Sequence, residues 1–141
     1  MREPLSYDLA RRVAEAALEA GRAEDARVCA TVVNRSGVAK VMLSDDGVGK
    51  LGVETARLKA YTAAVMGIPT AMLATVLQEN PVMRLTPPHV IDSQLLPVPG
   101  GYPISMDDGE VIGAIGVAGA PGDTDDRVAR EALKSVAALL T

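Results

Sequence analysis

At 141 residues, 48% of them hydrophobic, the chain is sized for one domain with a core of its own. Its formal net charge of −4 and its only three aromatic residues, Tyr7, Tyr61 and Tyr102, argue against a phosphate-binding surface or a base-stacking platform, and so against nucleic acid as a partner. The single cysteine has no internal disulfide partner, no run of about 18 unbroken apolar residues offers a membrane span, and the first residues lack the apolar core of a signal peptide, so a soluble, cytoplasmic protein is expected.

Ser6 is placed to cap a helix over residues 7–21, with Leu9, Val13, Ala16, Ala17 and Ala20 on its inner side and Gly21 as its stop. Val28 to Asn34 and Val38 to Leu43 read as a hairpin around Asn34-Arg35-Ser36-Gly37, with Cys29 as a core thiol. Residues 49–67 form a second helix with two apolar sides. One is built from the small residues Val53, Ala56, Ala60, Ala63 and Ala64, the other from Leu51, Leu58 and Val65, with Tyr61 beside it. Such a helix is buried between layers or between subunits. Gly67-Ile68-Pro69 breaks it, and Thr70 is placed to cap a short helix through about Leu77.

Five prolines between residues 79 and 101 predict a long irregular segment, which also holds the only histidine, His89. From Pro99 to Ala120 the pattern is a loop, a short strand, a tight turn at Asp108-Gly109 and a longer strand. Gly113, Gly116 and Gly119 in that strand imply that something approaches the backbone closely: a helix, a neighbouring subunit or a flat ligand. A last helix follows, capped by Asp123 or Thr124, with Val128, Ala132, Val136, Leu139 and Leu140 as its inner stripe. The order of elements indicates an α+β fold with an antiparallel sheet, and a further short strand is placed at Val90-Ile91-Asp92 or Leu95-Leu96.

Three stretches carry a family likeness. The run from Pro99-Gly100-Gly101-Tyr102-Pro103-Ile104 through Asp108-Gly109-Glu110-Val111-Ile112-Gly113-Ala114-Ile115-Gly116-Val117-Ala118-Gly119-Ala120 to Asp123-Thr124-Asp125-Asp126 is the most specific. Ala56 to Ala64 and Val32-Val33-Asn34-Arg35-Ser36-Gly37 add weaker matches. Together they resemble the GlcG/HbpS-like family of heme-binding proteins, which includes the C-terminal domain of PduO-type corrinoid adenosyltransferases. The resemblance implies a profilin-like layered fold, a five-stranded antiparallel sheet flanked by helices, and homo-oligomers between dimer and octamer. It also implies a heme or related tetrapyrrole near the central helix and the loop before Gly100-Gly101. Two departures fall where the pocket is expected: a short connection at Ser44-Asp45-Asp46-Gly47, and a long, proline-rich segment from Glu79 to Pro97 that ends in Leu95-Leu96-Pro97-Val98, without an iron ligand before Gly100.

Seven residues are the candidate ligand-binding set. His89 is a candidate for heme iron or an ordinary loop histidine. Lys59 on the apolar helix is a candidate for a ligand carboxylate or a proton-transfer role, or a snorkelling lysine, and Glu54 carries the same ambiguity. Tyr61 and Tyr102 suit a flat ligand or the core, and Gly100 and Gly101 suit an anion-binding backbone or a simple turn. No catalytic residue is assigned, since neither a Ser-His-Asp nor a Cys-His arrangement is visible. The leading reading is an oligomeric small-molecule (heme or related tetrapyrrole) binding protein. The alternatives are a cofactor-free isomerase, lyase or cyclase using Lys59, Glu54 and His89, and a regulatory or structural subunit.

Overall fold

In a computed structural model, which describes residues 3–83 and 93–141, the chain runs α1 (Tyr7–Ala23), β1 (Cys29–Asn34), β2 (Ala39–Ser44), α2 (Lys50–Met66), α3 (Thr70–Glu79), β3 (Gly101–Ser105), β4 (Val111–Ala118) and α4 (Gly122–Ser135), closing with a 3-10 turn at Ala137–Leu139. The strands form one antiparallel sheet in the order β2-β1-β4-β3. Helices α1 and α4 cover one face and α2 the other, so the α+β expectation is met by three layers. No single helix among the described residues is long and apolar enough to cross a membrane.

The sheet has four strands among the described residues, not the expected five. Leu95-Leu96 is irregular: Pro97 has no amide to give a ladder, and the Leu96 N–H donates instead to Thr62 Oγ1 on α2 at 2.8 Å. The other placement, Val90-Ile91-Asp92, lies outside the described residues. Pro103 is tolerated because β3 is an edge strand among the described residues.

Period-2 burial sorts the two central strands. Ala30 and Val32 of β1, with Ile115 and Val117 of β4, meet the aliphatic faces of α1 and α4. Cys29 and Val33, with Ala114 and Ala118, meet the alanines of α2. Cys29 is a buried packing residue, and burial pushes its thiol up. Ile112 departs from the simple alternation. It is the extra residue of a bulge between the pairs Ile104–Gly113 and Ser105–Val111, and it joins the α1/α4 core.

Several caps differ from the sequence reading, and each has a local cause. Helix α1 runs two residues past Gly21 to Ala23, and beyond its cap at Glu24 the chain turns at Asp25, which takes φ 57° and donates its N–H to Arg22 O, while Ala26 N–H bonds back to Gly21 O at 2.9 Å. Ser6 caps the other end as expected, accepting from Leu9 N–H at 3.1 Å. Thr70 is the first residue of α3 and not its cap. Its hydroxyl donates to Val98 O at 2.6 Å and accepts from Gly101 N–H at 2.8 Å. Neither Asp123 nor Thr124 caps α4, which starts after Pro121. Leu139 is turned out to solvent by the final 3-10 turn, while Val136 and Leu140 stay buried. The β3–β4 connection centres one residue earlier than expected: Gly109 N–H closes on Met106 O at 2.9 Å, with Gly109 at φ 93°.

The close approach implied by the strand glycines is made by the protein itself. A Cβ on Gly116 would strike the Ala56 carbonyl and come within 2.5 Å of the Ala60 amide, so α2 lies backbone-to-backbone on β4. Gly113 faces the Val33 carbonyl, and Gly119 faces Arg27 and Val28. Neither helix nor strand backbone can yield as a flexible side chain would. Gly116→Ala is therefore expected to destabilise the fold by about 1–3 kcal/mol, as an overpacked core does. Chemical denaturation checks this, with an unchanged midpoint as the contrary result.

Candidate ligand-binding cleft

Because α2 sits tightly on β4 through its middle, the open space lies at its N-terminal end. A cavity of about 360 Å³ is bounded by Leu51, Gly52 and Thr55 of α2, by Leu96 and Val98, and by Ala118-Gly119-Ala120 at the exit of β4. Lys59 and Asp125 are the two charged side chains among its described lining residues. A second cavity of about 600 Å³ adjoins it, sharing Leu51, Gly52, Gly119 and Ala120 and extending over Arg27 and Gly49.

The wall made by residues 95–98 has no regular hydrogen bonding of its own, so side chains pin it. Thr62 accepts from the Leu96 amide, and Thr70 holds the Val98 carbonyl. Both threonines are buried, on consecutive helices. Residues 96–98 are thereby fixed against α2 and α3, and Leu96 and Val98 become apolar lining.

Lys59 and Asp125 are nearly sealed, with side chains 5% and 2% exposed and Nζ to Oδ2 at 3.1 Å. Lys59 Nζ also donates to Val117 O at 2.9 Å, and Asp125 Oδ1 accepts from Ala120 N–H at 3.1 Å. One ammonium thus ties α2 to the end of β4 and to the start of α4. Burial pushes the Asp125 carboxyl up, against the pull of the Lys59 ammonium and the Ala120 amide.

Of the six candidate residues that are described, Lys59 alone lines the cleft. Glu54 is half-exposed, 3.9 Å from Arg57. Tyr61 packs its ring against the β1–β2 turn at Gly37, away from the cleft. Tyr102, paired with Ile115, packs against the α1/α4 core on the opposite face of the sheet. Gly100 and Gly101 are buried against Lys59, and the Gly101 amide is taken by Thr70, so it is not open to an anion. His89 lies outside the described residues. No group of three potential metal ligands occurs among the described residues. Every described lining residue but Lys59 escaped the sequence reading of the site, Asp125, Thr55, Leu96 and Val98 among them. Asp125 left one signal: a lysine on an alanine-rich buried helix needs a buried acid.

A family model described as haem degrading protein HbpS-like matches residues 5–134. The chain belongs to this HbpS-like family. A double mutant of Streptomyces reticuli HbpS is 34% identical in sequence, with a TM-score of 0.82 over 100% of this chain and 90% of that one. The structure of a PduOC–heme complex is 25% identical, with a TM-score of 0.83 over 93% of this chain and 94% of that one. Klebsiella pneumoniae protein ORFY, 23% identical with a TM-score of 0.80 over 92% of this chain and 88% of that one, shares the fold. A search of the curated protein sequences finds no match.

In this HbpS-like chain the buried pair sets a steep penalty for losing one partner. Lys59→Met is expected to cost about 3–5 kcal/mol, since it strands a buried carboxylate. The Lys59→Met/Asp125→Leu double variant is expected to recover most of that loss. Equilibrium unfolding of the variants measures both, and additive losses would show that the two charges do not act together.

Proposed function

We propose that this protein binds heme or a related tetrapyrrole in the cleft at the N-terminal end of α2, and that it works as a homo-oligomer between dimer and octamer. The observation that carries the reading is the cleft itself: a mostly apolar slot beside the central helix, in a chain of the HbpS-like family. The heme complex of a structural relative supports the same ligand class. A cavity of about 360 Å³ opening into one of about 600 Å³ is in the size range of small-molecule sites.

The residues fit the ring better than they fit the metal. Leu51, Leu96, Val98 and Ala118 offer apolar contact to a flat macrocycle. At the mouth, α2 begins at Gly49 without a side-chain cap, so the free amides of its first turn are the donors offered to ring carboxylates directed outward, while Arg27 in the adjoining cavity stands among the acids Asp25 and Asp46. Among the described lining residues no imidazole, thiolate or thioether is present for iron. His89 is accordingly proposed as the iron ligand, and Gly100 and Gly101, packed against Lys59, as the backing of the cleft.

Oligomerisation is supported by the second apolar side of α2. Leu51, at 78% exposed, and Val65, at 36%, lie on one stripe with the half-buried Leu58. That side faces away from the protein's own sheet, as a contact between subunits would require.

Heme titration followed by the Soret band tests the binding reading. A saturable shift at micromolar heme is expected, with a weaker and spectrally different complex for His89→Ala. No shift in the unmodified protein would reject heme, and an unaltered spectrum in the variant would remove His89 as ligand.

A further inference from the structure

A lysine ammonium has three protons to donate. Two of those on Lys59 go to Val117 O at 2.9 Å and to Asp125 Oδ2 at 3.1 Å. No third acceptor meets the group among the described residues. At 5% exposure the side chain has little bulk water to turn to, and it lines the floor of the cleft. A donor left unpaired in such a place costs free energy until a ligand atom accepts from it.

The charge balance decides what kind of atom that is. Lys59 and Asp125 neutralise each other, and no other charged side chain is present among the described lining residues. A ligand carboxylate brought to this floor would add one uncompensated negative charge beside Asp125, in a site with little water, and that is expensive. A neutral oxygen would complete the ammonium's hydrogen bonds and leave the charge balance unchanged. We infer that the floor of the cleft is a subsite for a neutral hydrogen-bond acceptor, an amide, lactam or ketone oxygen on an otherwise flat and apolar ligand, read by Lys59 Nζ. The inference rests on the cleft being the binding site proposed above, and among the ligands proposed there it favours a tetrapyrrole that carries such an oxygen over heme, whose oxygens are carboxylate. It also requires any carboxylates of that ligand to lie at the mouth.

Three naphthalene probes of similar shape test this in the whole chain: 2-naphthamide, 2-naphthoate and 2-ethylnaphthalene, with affinities from calorimetry or chemical-shift titration. The amide is expected to bind more tightly than either of the others by roughly tenfold, the worth of one buried hydrogen bond to a charged donor. In the Lys59→Met/Asp125→Leu double variant, which replaces the pair with apolar groups, the order is expected to change so that 2-ethylnaphthalene binds best. Tightest binding of naphthoate, equal affinities for the three probes, no binding of any probe, or an amide preference that survives in the double variant would each overturn the inference. The unmodified protein carries the comparison even if the variant folds poorly. An amide preference without any Soret change in the heme titration would reject heme and keep the subsite.

Discussion

The contact on which this structure depends is the seating of α2 on β4 at Gly116. With no side chain at that position, the helix backbone at Ala56 and Ala60 descends onto the strand. The alanines along the rest of the interface follow from the same closeness, because larger groups at Ala60, Ala63, Ala64 and Ala114 would lift the helix away. This explains how a chain with so few aromatics builds a firm core: it closes distance instead of filling volume. It also determines where a ligand can go. The middle of the helix–strand interface is full, so the cavity sits where α2 overhangs the exit of β4, and the irregular segment at Leu96 and Val98 supplies the missing wall.

The Lys59–Asp125 pair belongs to the same geometry. Lysine is an odd choice for a helix face packed this tightly, and its long stem lets the charge reach past β4 to the start of α4. There it stabilises a carbonyl at the end of a strand and a carboxylate that in turn holds the Ala120 amide. Three elements therefore converge on one ammonium at the bottom of the cleft. A structural role and a recognition role are compatible here, since two of the three donors hold the fold and the inferred ligand oxygen would take the third.

Much of the fold was legible in the residues. Apolar spacing in α1, α2 and α4 and the β-rich runs of β1, β2 and β4 are local signals, and they placed these elements to within a few residues. The caps were less legible because polar side chains have competing uses. Thr70 is taken by two backbone partners from the 98–101 segment, and Asp125, which as a first-turn acid looks like an ordinary dipole partner, is drawn inward by Lys59. The site was the least legible part. Lys59 stood out as a charge on an apolar helix, whereas Leu96 and Val98 sit in an irregular stretch without periodicity, and their placement depends on Thr62 and Thr70 more than 25 residues earlier. The glycines of β4 signalled a close approach correctly and left its author open among a helix, a subunit and a ligand; the structure assigns Gly116 to the helix.

The central claim is positional: a flat ligand enters beside the first turns of α2 and not between the middle of α2 and the sheet. Methyl-resolved NMR during addition of protoporphyrin IX measures this most directly. The account predicts that the methyl signals of Leu51, Leu96, Val98 and Ala118 move together and saturate, while those of Ala60, Ala63 and Val33 stay in place. Shifts concentrated on the second group, or on the α1/α4 face of the sheet around Val32 and Ile115, would contradict it.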